Sequence, residues 1–92
     1  MNATVSITPV PTPDWLAQHG GELRFGREAA SCSVYFAGQL QYVLLPVPAR
    51  GKYACHVSET VNGRRLESDK TYPTLIDAYR GGLDDLREKL GW

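Results

Sequence analysis

No stretch of this 92-residue sequence approaches the roughly 20 consecutive apolar residues that cross a bilayer as a helix. The N-terminus also lacks the basic patch and the following run of about 7–15 apolar residues that a secretory signal needs. A cytoplasmic protein with reduced thiols and no membrane contact is therefore the expectation, and the sequon Asn2-Ala3-Thr4 carries no weight without export. Net charge is missing too. Ten basic residues balance ten acidic ones, so there is no general attraction to nucleic acid or to an anionic surface. Cysteine is scarce, and the two present, Cys32 and Cys55, form no C-x-x-C or paired-ligand spacing. The adjacent Cys55 and His56 would point to opposite faces of a strand, so they cannot hold one ion, and buried structural thiols are the reading. A Cys32–Cys55 disulfide is possible between neighbouring strands but is disfavoured in a reducing compartment. No internal repeat is present, and the only biased segment is a proline-rich start.

What remains is ample for one small domain: an apolar fraction of 42% and an aromatic fraction of 10% argue against disorder. Its strongest pattern lies at the C-terminal end. Ile76, Tyr79, Leu83, Leu86 and Leu90 recur at alternating spacings of three and four, which places them on one stripe of a helix from Thr74 onward. Thr74 fits its N-cap, with Asp77 as the acidic member of a capping box. Gly91 fits the left-handed position that ends it, and Trp92 is expected to fold back onto Leu86. Gly81-Gly82 interrupts good helix formers. Because the stripe keeps its phase across the pair, a close approach of the sheet is the preferred explanation over a bend. Arg80 with Asp84, and Asp85 with Lys89, read as exposed i,i+4 pairs.

The preceding chain reads as the sheet that such a helix covers. Residues 1–11 form an extended arm in which Pro9 and Pro11 favour polyproline geometry and Val5 and Ile7 offer an edge strand; residues 12–92 form the domain. Thr12-Pro13-Asp14 opens a short helix with Trp15 and Leu16 buried and Gly20-Gly21 as its stop. Glu22–Gly26 reads as a strand with Leu23 and Phe25 inward, and Arg27–Ser31 is ambiguous. Cys32–Ala37 and Gln39–Leu45 form a hairpin around Gly38, with Cys32, Val34 and Phe36 sharing one face and Leu40, Tyr42 and Leu44 another. Pro46 and Pro48 are expected to end that second strand. Lys52–Val61 and Arg64–Ser68 flank Asn62-Gly63, the signature of a two-residue type I′ turn. That turn sets Ser58 against Glu67, Val57 against Ser68 and His56 against Asp69, with Tyr53, Cys55, Val57, Val61 and Leu66 facing the helix. The fold expected is α+β: an antiparallel meander of four or five strands, one face covered by the C-terminal helix, plus the short N-terminal helix.

Functional signals are few. His56 opposite Asp69 on the open sheet face would be an imidazole oriented by a carboxylate, the arrangement of an acid/base group. No supported nucleophile accompanies it, and an ordinary cross-strand polar pair is the plainer account. Residues 49 to 73 carry Arg50, Lys52, Arg64, Arg65 and Lys70 against three acids, a local +2 that each flank offsets by −1. These five could contact phosphates, although an exposed turn made soluble by its arginines is the favoured account. The final helix lacks the basic N-terminal cluster of a double-stranded-RNA-binding domain, and its Asp77, Asp84 and Asp85 would repel phosphate.

Residues 40 to 90 loosely resemble the antitoxin half of HicB-type toxin–antitoxin pairs, in two strands, an extended segment and a helix opened by Thr74-Leu75-Ile76-Asp77-Ala78. The likeness is one of element order, and Asn62-Gly63 stands where that family has a Pro- and Gly-containing turn before a cysteine. No function is carried over from it. The expectation is a small non-enzymatic interaction module that uses the open sheet face or an edge strand to bind a partner protein or a second copy of itself. The alternative is nucleic-acid binding through the Asn62-Gly63-Arg64-Arg65 hairpin, and the third a small enzyme or ligand site centred on His56 and Asp69. No catalytic residue, metal ligand or cofactor is assigned.

Overall fold

The computed structural model describes residues 10–27, 30–66 and 70–92. The elements in chain order are α1 (Asp14–Ala17), β1 (Gly21–Phe25), β2 (Cys32–Phe36), β3 (Gln39–Ala49), β4 (Lys52–Glu59), β5 (Arg65–Leu66) and α2 (Leu75–Leu90). The strands form one antiparallel sheet in the order β1-β2-β3-β4-β5, and α2 packs against β3 and β4, so the α+β meander with a helix-covered face is what the chain adopts. The edge strand read at Val5 and Ile7 and the Asp69 partner of His56 lie outside the described residues.

Helix α2 is uninterrupted through Gly81-Gly82. Thr74 caps it, its Oγ1 accepting the Asp77 N–H at 3.1 Å. Gly91, at φ 75°, ends it. There the Trp92 N–H donates to the Arg87 carbonyl and the Gly91 N–H to the Glu88 carbonyl, at 3.1 and 3.2 Å, the paired bonds of a Schellman motif. The buried arc comprises Ala78, Tyr79, Gly82, Leu83 and Leu86. Its centre lies between Tyr79 and Gly82, which leaves the first residue of the expected stripe, Ile76, 41% exposed at the margin. The glycine pair is a close-packing device. A Cβ on Gly81 would collide with the end of the Tyr72 ring, and one on Gly82 would lie 2.5 Å from Cys55 Sγ and 3.1 Å from Leu44 Cδ2. The expected Asp85–Lys89 pair gives way to tertiary ones, because neighbouring elements bring competing partners: Asp85 pairs with Lys70 at 3.2 Å and Lys89 with Glu59 at 3.9 Å.

Five further expectations are corrected. Pro13, not Thr12, is the N-cap of α1, and no side chain caps that helix, which is four residues long. Strand β3 does not stop at Pro46 but continues through Pro48 to Ala49, paired with β4. The reason is hydrogen-bond direction. Tyr53 exchanges both backbone bonds with Tyr72, so its β3 partner Pro48, and by alternation Pro46, turns its nitrogen away from β4. On that side β2 has already ended, since its last ladder partner is Cys32 opposite Leu44, and a missing donor costs nothing at a free edge. Third, the β2–β3 register slips between Val34 and Tyr35, where Gln41 is an extra residue. Leu40 is thereby moved to the open face, while Tyr42 and Leu44 stay inside. Thr60 closes the bulge by donating its hydroxyl towards the Leu40 and Gln41 carbonyls at 2.9 and 3.1 Å.

Fourth, the type I′ geometry belongs to other turns. Ala37-Gly38 and Arg50-Gly51 each have two successive positive φ angles, 52° and 78° in both cases, and they close the β2–β3 and β3–β4 hairpins. At Asn62-Gly63 only the glycine is left-handed. The connection is a longer loop in which Glu59 accepts from the Gly63 N–H and donates to the Arg64 carbonyl, at 2.9 and 2.7 Å. Ser58 therefore faces Arg65 and Val57 faces Leu66, two residues away from the expected register. A shift of two preserves every residue's face. Val61, now in the loop, is 73% exposed instead of core. The expected alignment returns at Tyr53 opposite Tyr72. Fifth, Cys32 and Cys55 lie on β2 and β4 with β3 between them, so they are not on neighbouring strands. Two inter-strand spacings of about 4.8 Å already exceed the ~7 Å Cα separation that a disulfide spans. Both cysteines are free.

Candidate functional site

The register determines what the uncovered side of the sheet presents. One row crosses all five strands as Arg24, Ser33, Val43, Ser58 and Arg65. Next to it Leu45 pairs with His56 and Val47 with Ala54, and beyond the bulge Tyr35 pairs with Leu40. The middle of this face is aliphatic, with Leu40 39% and Leu45 44% exposed. Its borders are cationic. Arg24 lies 4.2 Å above the Tyr35 ring and is held there by Glu22 at 3.2 Å. Arg65 and Lys52 stand at the other borders, and Glu22 is the acid among these described strand residues on that side. The acidic side chains of α2 lie across the sheet, on the covered side.

His56 does sit on the open face, but the partner recorded for its Nδ1 is Arg65 Nη1 at 3.4 Å. A guanidinium only donates, so Nδ1 accepts and the ring proton is left on Nε2. A cation beside the ring is the reverse of the carboxylate support that an acid/base histidine uses. The five basic residues do not converge. Arg50 and Lys52 close the β3–β4 turn, whereas Arg65 is opposite Ser58, six residues along β4 and so about 20 Å away. Arg64 is in the loop beside Arg65, and Lys70 reaches α2 through Asp85. Three grooves are formed by described residues, one of them including two of these basic residues, Arg50 and Lys52. One is lined by Val10, Pro13, Trp15, Arg80, Leu83 and Asp84, and others by Arg50, Lys52 and Thr71 and by Leu66, Asp85 and Glu88.

The sequence reading missed an aromatic cluster at the end of α2. Trp92 stacks on His19 with centroids 3.8 Å apart and planes 5° from parallel, and it meets Phe36 edge-on at 5.4 Å and Trp15 at 6.3 Å. These three rings are the aromatic partners of Trp92. His19 donates from Nδ1 to the Trp15 carbonyl at 2.9 Å, four residues back. That spacing of four was the available signal, since it puts both rings on one helical side.

The buried thiols are reserved for the core. Burial pushes both Cys32 and Cys55 up to about 12, and burial also raises Tyr79 above its ordinary value. An acid raised in the fold stabilises it fully below the unfolded pKa, 9.0 for these thiols, and the benefit disappears as pH climbs towards about 12. The unfolding free energy should be flat near neutrality and fall steadily above about pH 9. Neither thiol should react with a disulfide reagent at pH 8 until denaturant is added; rapid labelling of the native protein would contradict this placement.

No protein-family model, curated protein or solved structure matches this chain.

Proposed function

We propose that this protein is a non-enzymatic interaction module whose open sheet face binds a partner protein through an apolar segment flanked by acidic groups. The observation that supports it is the pairing of exposed aliphatic side chains, Leu40 and Leu45, with a border of Arg24, Lys52 and Arg65. Burying such aliphatic surface is worth about 25 cal/mol per Å², and the surrounding cations select for acidic neighbours. The chain already contains the chemical model for such a partner: α2 covers the opposite face with an apolar arc beside Asp77, Asp84 and Asp85.

Single-stranded nucleic acid is the competing occupant. Base stacking needs exposed aromatic rings, and the ring on these rows, Tyr35, is already covered by Arg24. The test is a titration followed by amide chemical shifts, with an amphipathic leucine–glutamate helical peptide and with a mixed-sequence oligonucleotide. Peptide shifts centred on Val43, Leu45 and Ala54, lost in Leu45→Lys, support the reading. Oligonucleotide shifts at Arg24 and Arg65 that fade steeply with salt, without any peptide response, overturn it.

A further inference from the structure

Of the sheet's two edge strands, β5 has two residues and β1 has five, so among the described residues β1 is the longer exposed edge. Pro46 and Pro48 blunt the exposed run of β3, and Tyr72 pairs the lower part of β4. Strand β1 carries neither proline nor bulge. Its backbone directions follow from its ends: the Ala37 N–H donates to the Gly20 carbonyl at 3.4 Å and the Gly26 N–H to the Ser31 carbonyl at 2.9 Å. Even-numbered residues therefore face β2, and Gly21, Leu23 and Phe25 direct their N–H and C=O groups outward. No partner for them is found among the described residues.

The side chains along this edge are arranged to match themselves. Glu22 and Arg24 flank Leu23 on the open face and are 3.2 Å apart within the chain. Under a two-fold axis through Leu23, an antiparallel second β1 sets Leu23 against Leu23, Glu22 against Arg24 and Arg24 against Glu22. Outward-pointing residues then meet as hydrogen-bonded pairs, Leu23 with Leu23 and Gly21 with Phe25, which satisfies all of their edge groups. A register displaced by two along the strand would lose both charge pairs and set Glu22 against Glu22 or Arg24 against Arg24. We propose that β1 is a homodimerisation edge, joining two copies of this chain antiparallel about Leu23 into one continuous sheet. The inference is independent of what the open face binds, although the dimer would present two such faces side by side.

Opposite charge at a cross-strand position attracts and like charge repels, so the edge can be recoded. Glu22→Arg sets arginine against arginine twice, and Arg24→Glu sets glutamate against glutamate twice. Sedimentation equilibrium of the full chain should show a wild-type dimer, each single variant dissociating on the order of tenfold more readily. An equimolar mixture of the two variants should recover the dimer, as should the double variant Glu22→Arg/Arg24→Glu. Circular dichroism of each variant checks that the monomer remains folded. A wild-type monomer at millimolar concentration, or variants that all dimerise alike, would overturn the proposal. Failure here leaves the peptide titration on the open face unaffected, so the two readings fall separately.

Discussion

Leu86→Ala lowers the free energy of unfolding by about 2–5 kcal/mol. Leu86 is fully buried in the layer where α2 lies on β3 and β4, among Tyr79, Leu83, Leu44 and Val57. Shortening it removes three carbons, a methine and two methyls, from van der Waals contact and leaves a void that a helix fastened at both ends cannot fill. Thr74 fixes one end and the Gly91 turn with its ring-packed Trp92 fixes the other. For a domain of this size the loss corresponds to a fall in melting temperature of roughly 10 °C or more. Urea titration measures it directly, and an unchanged midpoint would remove α2 from the core. Leu83→Ala, at a position equally enclosed, should behave in the same way.

Gly82→Ala is expected to destabilise as well, against the usual direction for glycine in a helix. Helix propensity alone would favour alanine by about 0.5–1 kcal/mol. The added methyl would lie 2.5 Å from Cys55 Sγ and 3.1 Å from Leu44 Cδ2, so α2 must lift from the sheet. Overpacking of that kind costs about 1–3 kcal/mol, leaving a net loss of about 1–2 kcal/mol. The specific partner supplies the control. Cys55→Ala removes the nearest atom, so the double variant Gly82→Ala/Cys55→Ala should be more stable than the two single effects add up to, by about 1 kcal/mol. A stabilised Gly82→Ala would show that the helix has room there. At Gly81 the obstacle is the far end of the Tyr72 side chain, which can swing aside, so alanine at that position should cost less.

These two residues also mark how far the sequence reaches. The period of Tyr79, Leu83 and Leu86, the hydroxyl of Thr74 and the missing Cβ of Gly91 are local properties of a helix, and they determined where α2 begins, ends and turns its apolar side. The strands and their meander order were legible for the same reason, as was the close approach at the glycine pair. The candidate site was legible only in part. Alternation along β4 placed His56 on the open face and Cys55 inside, and a register error of two residues left those faces intact because the strand repeat is also two.

What tertiary structure decided was every feature that depends on which neighbour is absent. Pro46 and Pro48 stay in β3 because β2 stops short of them, which no local propensity records. The type I′ turns fell at Ala37-Gly38 and Arg50-Gly51, where flanking strand pairs impose the twist, while the better signature at Asn62-Gly63 was spent on a longer loop. The charges of α2 chose Lys70 and Glu59 over partners one turn away, and the bulge at Gln41 moved Leu40 outside. Sequence carries periodicities and end signals because they act within a few residues; the identity of a surface is settled by the strand, helix or solvent that happens to lie beside it.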